Sequence, residues 1–389
     1  MYAIKLSIIF AATLAASAIA TPLSGGSKLD IVKTTVNANG DIVDWVVRES
    51  QGDIAEPPPL HLLSRSAEHE EILKKLIIGE QGPPGAVPRV RARNGSTPIA
   101  AVPKPHVDEA NKSIINARDV MAGFAATVEQ RVTNRGGSAK FNLWNQNLAT
   151  ALDSSSTLVA VSRTYFPDSG QVLQNIQAGI FATAKYPQMF VAYTTNTWTK
   201  NGDYIGSVNT DFKGWVQYDT LVYPKVNFDP SSSLGGTQYE LEIGFHWHQE
   251  NWWVHVAGRW VGYYPGTLFS KYPAQSPQTL TSSGDVISYY GWVWSSRTDP
   301  RSQMGSGENP DCGDVAKGTV AYIKNLSFFD LNGNPADLAP TNVYATNPNF
   351  YNVSVYMDPP GYWGRHMWLG GSGTLLRIPY PCPTGSPAK

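Results

Sequence analysis

The chain is poor in the features that mark most enzyme classes. It has two cysteines in 389 residues, too few for a disulfide-dense scaffold. Only 16% of residues are charged, and 30 basic side chains against 31 acidic ones leave a formal net charge of −1. No basic excess exists to grip a phosphate backbone, which argues against a nucleic-acid partner. Beyond the first twenty positions no apolar run approaches the roughly 20 residues a membrane helix needs. Phosphate-binding loop, dinucleotide fingerprint, His-Glu-x-x-His and Gly-x-Ser-x-Gly patterns are all missing, so no cofactor or resident metal is expected. What is abundant is aromatic: 12 Trp, 19 Tyr and 13 Phe, residues that favour strands.

Met1 to Ala20 has the form of a secretory signal peptide. Lys5 supplies the early charge, Leu6 to Ala16 the apolar stretch, and Ala18-Ile19-Ala20 a small-x-small cleavage site. A secreted, extracellular protein is therefore expected, without a membrane anchor. In that setting Asn94, Asn111, Asn325 and Asn352, each followed by x-Ser, become glycan acceptors. Cys312 and Cys382 become a disulfide pair, closing a loop worth roughly 4 kcal/mol on the chain-entropy model. Two separate buried thiols are the alternative. With both sulfurs so assigned, a cysteine nucleophile is not expected.

The texture changes along the chain. Residues 21 to about 125 carry Pro57-Pro58-Pro59, Pro83-Pro84 and a proline-spaced stretch from Pro98 to Pro105. Ile31 to Val47 predicts two strands about a turn at Asn39-Gly40. Glu68 to Ile78 predicts a helix with Ile72, Leu73, Leu76 and Ile77 on one face. Arg89, Arg91 and Arg93 fall in a predicted exposed linker, where nicking would be easiest. From about residue 130 short alternating segments recur between turn signals, among them Ala139–Trp144, Thr157–Phe166, Met189–Thr195, Gly214–Val222, Tyr239–Trp247, Trp252–Val256 and Val286–Trp294. That pattern predicts an all-β domain, an antiparallel β-sandwich.

His246 and His248 share a strand face and with His255 could bind a metal; polar aromatics at a sheet rim are the simpler reading. Trp247, Trp252 and Trp253 could line a sugar platform or fill a core. Glu240, Glu242 and Glu308 are secondary carboxylate candidates.

Several stretches, in order, resemble the neprosin family of secreted glutamic peptidases. They are Gly137–Trp144, Asn175-Ile-Gln-Ala-Gly179, Ala192–Trp198 with Gly214-Trp-Val-Gln217, Asn251-Trp-Trp-Val254 with Val261-Gly-Tyr-Tyr-Pro265 and Leu268-Phe269, Gln303–Gly307, and Trp363-Gly364 with Gly370–Gly373. Val32–Val36 and Asn39–Asp44 resemble the family's activation peptide. The resemblance implies a signal peptide (1–20), an activation propeptide and linker (21–125) and a sandwich domain (126–389). It implies a zymogen whose propeptide inhibits its own cleft, an acid-active endopeptidase acting on polypeptides, and cleavage next to proline. Trp198, Trp215, Trp252, Trp253, Tyr263 and Tyr264 are then the candidates for substrate contact.

The family mechanism uses two facing glutamates whose pKa values split because both cannot easily ionise together. Here the first position holds Gln177. The second is assigned to Asp285, within Gly284-Asp285-Val286, 108 residues further on. An alternative alignment sets Tyr290-Gly-Trp-Val293 there and supplies no acid. The family's internal cysteine pair is replaced by Ser207 and Phe212. Two expectations follow. Gln177 could hold the oxyanion while Asp285 activates water, an arrangement similar to the Gln–carboxylate pair of eqolisin peptidases. Or both changes are losses, leaving a secreted protein that binds a carbohydrate or cell-wall polymer.

Overall fold

The computed structural model describes residues 28–63, 67–92, 102–104, 122–165, 170–270, 279–297, 299–311, 318–357 and 363–374. Cys312, Cys382, Asn94, Asn111 and Arg93 lie outside these residues.

The front segment forms β1 (Ile31–Val36) and β2 (Ile42–Val47), then α1 (Ala67–Leu76), β3 (Ile77–Ile78) and β4 (Ala86–Val90). The β1–β2 turn is set by Asn37, whose Oδ1 accepts from the backbone N–H of Asn39 (3.0 Å) and Asp41 (2.9 Å), the local hydrogen bonding that makes Asn a turn residue. Arg89 and Arg91 are not in a free linker. Arg89 belongs to β4, which pairs with β2, and Arg91 Nη2 donates to Asp44 Oδ1 (2.8 Å). Paired backbone resists a protease.

The rest is strand and loop. The first half runs β5 (Ala122–Asn134), β6 (Gly136–Asn142), β7 (Ser154–Tyr165), β8 (Val172–Phe181), β9 (Gln188–Thr194), β10 (Gly206–Val208), β11 (Val216–Gln217) and β12 (Asn227–Phe228). Then come β13 (Glu240–His248), β14 (Asn251–Val256), β15 (Arg259–Pro265) and β16 (Gly284–Ser295). Shorter strands finish the chain: β17 (Ala321–Lys324), β18 (Ser327–Phe329), β19 (Pro335–Asp337), β20 (Asn342–Ala345), β21 (Asn352–Tyr356) and β22 (His366–Gly370). Two large antiparallel sheets and the two-stranded β18–β19 pair result. One has the order β20-β5-β16-β7-β8-β9-β12-β3, with β10 also on β9; the other has the order β11-β15-β14-β13-β6-β17-β22-β21.

Alternation explains the stacking. Val159 and Val161 of β7, Ile176, Ala178 and Ile180 of β8, and Ile287 and Tyr289 of β16 face Phe141 of β6, Leu241, Ile243 and Phe245 of β13, and Trp252 and Val254 of β14 in one core. The chain passes from the first sheet to the second between β5 and β6, at Gly136. Its φ is +109°, and a Cβ there would sit 2.1 Å from the Phe245 carbonyl oxygen, so glycine is required.

The expected Gly214–Val222 strand is only two residues long. Asp219 Oδ1 accepts from the N–H of both Leu221 (2.7 Å) and Val222 (2.8 Å), which turns the chain out of the sheet.

The front segment is built into this body. Trp45, Leu73 and Leu76 join the core, and β3 extends the first sheet beside β12. Gln51 exchanges two hydrogen bonds with the backbone of Gln217 (2.8 and 3.0 Å).

Candidate functional site

Gln177 lies on β8 with no exposed surface. Its Nε2 donates to the Asn175 Oδ1 (2.6 Å) and to the carbonyl oxygen of Pro103 (2.8 Å). Its Oε1 accepts from the Tyr290 hydroxyl (2.9 Å). Asn175 is two residues back on the same strand and therefore on the same face; its own Nδ2 donates to Ser162 Oγ (2.9 Å). Burial, with Tyr344 adding to it, pushes the Tyr290 phenol well above its usual range. It stays a proton donor, and the orientation of the amide is fixed: the oxygen meets the phenol and the nitrogen meets a peptide carbonyl.

The surroundings are apolar. Leu158, Ala160, Phe190, Ala192, Trp198, Tyr290, Trp292 and the linker residue Val102 pack together on the outer face of the first sheet. Beside Pro103 lies a cavity of about 100 Å³, bordered by Val102, Phe181, Gln188, Phe190 and Val208. Val102 is fully buried, and Lys104, half-buried, has its ammonium pKa lowered by desolvation. A Val-Pro-Lys segment thus lies against this face with one carbonyl held by an amide.

The expected Gln177–Asp285 pairing is not what the register produces. Ser288 of β16 is in register with Gln177 through Ala160 of β7, and Asp285 stands three residues away, where the β16–β5 register shifts. The Asp285 Oδ2 accepts from the N–H of Thr164 (3.3 Å). Tyr290, the residue of the alternative alignment, occupies the place beside Gln177. Asn175, Tyr290 and the Val102–Lys104 peptide were not among the site residues expected from sequence; only the spacing Asn175-x-Gln177 on one strand hinted at the first.

The aromatic candidates are mostly interior. Trp252 and Tyr264 have no exposed surface, and Trp215 keeps only 3%; all three belong to the core between the sheets. Trp253 and Tyr263 are covered on the far face of the second sheet, where Leu63 and Ala55 of the front segment pack on them, and the Tyr263 hydroxyl accepts from the N–H of Ala55 (3.0 Å). Trp198 alone of the six lies in the cleft wall. Packing has claimed the others, so Trp252 and Trp253 offer no surface to a sugar. Trp252→Ala should therefore cost about 3–5 kcal/mol of stability without altering peptide affinity in protein that still folds. A thermal melt beside a titration would check this.

Other candidates are accounted for locally. Glu240 Oε1 is 2.6 Å from the buried Lys324 ammonium and accepts from the Tyr322 hydroxyl, a structural ion pair. Glu242 lies opposite Lys140 in the β13–β6 register. Glu308 is half-buried after the Gly305–Gly307 turn. His246 and His255 pack against Trp260 at 6.0 and 5.6 Å between ring centres. No cluster of three metal-ligating side chains occurs among the described residues. At the positions of the family's cysteine pair the Phe212 N–H donates to Ser207 Oγ (3.0 Å), a hydrogen bond where a disulfide would close the same loop. Asn325 is exposed at φ +57°, and Asn352 donates to Asp311 (2.9 Å).

Among known proteins, a solved structure titled "Apo Crh5 transglycosylase" is 9% identical, with a TM-score of 0.25 over 64% of this chain and 70% of that one; so slight a likeness carries no argument. The Neprosin family model matches residues 152–372. That span is more than half of the chain and includes β7 through β22 and the Gln177 strand. By this match the chain belongs to the neprosin family.

Proposed function

We propose that this neprosin-family protein is a secreted endopeptidase made as a zymogen, active on the acid side of neutrality and cleaving at proline. One observation carries the reading: the Gln177 amide donates to the carbonyl of Pro103 in a segment packed on this face. An N–H aimed at a peptide carbonyl is the arrangement that stabilises an oxyanion as that carbon is attacked. The peptide comes from the chain's own linker, so the front segment serves as the intramolecular inhibitor. The first twenty residues support export.

The second reading is a peptide-binding protein without hydrolysis. It is favoured by the partners of Gln177, which are an amide, a phenol and a carbonyl, with no carboxylate among them.

The deciding experiment is intact-mass analysis of secreted full chain held between pH 2 and 7, alongside an unstructured proline-rich substrate. Cleavage with proline at the new ends is the expected result. Intact substrate at every pH, with peptide still bound, would establish the second reading instead.

A further inference from the structure

The chain's own segment does not fill the space beside it. The carbonyl that Gln177 holds belongs to the Pro103–Lys104 bond. The cavity of about 100 Å³ opens against Val102 and Pro103, the two residues on the N-terminal side of that bond. Such a volume has room for about three water molecules, or as many heavy atoms of a side chain.

The register explains the gap. On β8, Gly179 and Phe181 share a face with Gln177, two and four positions further on. Gly179 brings no side chain, and none fits there, because a Cβ would sit 2.1 Å from the Thr157 carbonyl oxygen. A bare length of strand therefore separates the amide from Phe181. Phe181 stacks on Phe190 of β9, with 5.5 Å between ring centres and 12° between planes. Val208 of β10 completes an apolar wall.

The far end is polar. Phe181 is opposite Gln188, and Gln188 is opposite Asn227 of β12. Gln188 Nε2 donates to Asn227 Oδ1 (2.9 Å), while Asn227 Nδ2 is buried without a hydrogen-bond partner. Lys225, two residues before Asn227, also borders the cavity. Its backbone N–H donates to the Met189 carbonyl oxygen (2.8 Å), and its ammonium has no ion-pair partner among the described residues. None of the residues bordering the cavity is acidic. Donors without acceptors at the end of an apolar slot call for a charged acceptor. A carboxylate can enter such a place only where a cation meets it, and Lys225 is that cation.

We infer that this cavity is a side-chain pocket for bound peptide and takes a glutamate immediately before the proline, with its carboxylate against Lys225. This deepens the endopeptidase reading by naming a substrate class, peptides with a Glu-Pro sequence. In the chain's own segment Val102 stands at that place, fully buried beside Phe190 and Val208. Glutamate reaches two bonds further than valine. The linker thus occupies the site without engaging Lys225, and a better-fitting peptide can displace it.

The test is titration of labelled Val-Pro-Lys, Glu-Pro-Lys, Gln-Pro-Lys and Leu-Pro-Lys peptides against the full chain at pH 6, as wild type and as Lys225→Met, which keeps an apolar stem of similar length. The chain's own segment competes equally with every peptide, so ratios of Kd are unaffected. Wild type should bind the Glu peptide about tenfold more tightly than the Gln peptide, the scale of a close charge pair. The difference should vanish in Lys225→Met, and also at pH 3, below the value of about 4.3 for a free glutamate. Equal affinity for Glu and Gln, or tightest binding of Leu, overturns the assignment. A second measurement needs no added peptide: hydrogen exchange at the Val102 and Lys104 amides in full-length Val102→Glu and Val102→Lys, with Lys225 and with Lys225→Glu. Val102→Glu should open less often with Lys225, and Val102→Lys less often with Lys225→Glu; opening that ignores residue 225 overturns the pocket. Neither measurement requires catalysis. A Glu preference without cleavage at any pH sustains the pocket and removes the endopeptidase reading, and cleavage of all four peptides without that preference does the reverse.

Discussion

Gln177→Ala is expected to lower the rate of Pro–Lys cleavage by about 10²–10³, as loss of a single oxyanion donor does. The substitution removes the N–H that Gln177 gives the Pro103 carbonyl and leaves the Tyr290 hydroxyl and Asn175 Oδ1 without that buried partner. Part of the loss should therefore appear as stability, roughly 1–3 kcal/mol. Gln177→Glu separates the two effects. Its neutral acid can still donate a hydrogen bond, and its carboxylate cannot. Apolar walls raise the pKa of such a group. Activity of Gln177→Glu should then be confined to low pH and disappear as pH rises through that raised pKa, whereas wild type should show no limb from this position. Kinetics of the three proteins from pH 3 to 8 would check this; a wild-type-like profile for Gln177→Glu would count against an amide that works by donation.

Acid should also loosen the fold. His246 and His255 keep only 5% and 2% of their surface exposed. Burial, reinforced by His248 and Arg135, lowers His246 to about 4; burial, with His246 adding, lowers His255 to about 3. The free imidazole value is about 6.5. Between that value and the folded ones the unfolded chain binds protons the native chain refuses, so stability falls as pH falls. Stability from this source is complete above about pH 6.5, and each ring gives up about 3 kcal/mol on the way to pH 4. Replacing both rings with Phe should flatten that dependence. Chemical denaturation at pH 7 and pH 4 for wild type and the double variant measures it; equal slopes in the two proteins would mean that other groups dominate acid unfolding. In the proposed acid-active enzyme, these rings would set a floor beneath the working range.

The sandwich was legible in the sequence because its strands alternate strictly: Leu241, Ile243 and Phe245 mark a core face in any register. The hairpin and α1 were legible from Asn39-Gly40 and from the helical spacing of Leu73 and Leu76. Exposure was not. Period 2 separates buried from exposed only when one face meets water, and both sheets are covered on their outer faces. Trp252 and Trp253 are adjacent, point opposite ways, and are both fully buried. The site was half legible. Gln177 stands in a recognisable segment, but its neighbours are chosen by the registers of β8 on β7 and of β7 on β16, which arise only on folding.

The manner in which the front segment is anchored separates two events that are easily merged. Severing the chain beside Pro103 would break one covalent link. Trp45, Leu73 and Leu76 would remain in the core, β3 would remain annealed to β12, and Gln51 would keep its grip on Gln217. The product of a cut is thus a two-piece complex governed by a dissociation constant rather than by tethering. In the proposed zymogen, latency would then become a matter of concentration and residence time: at high concentration the severed piece would stay seated, and dilution would let it leave.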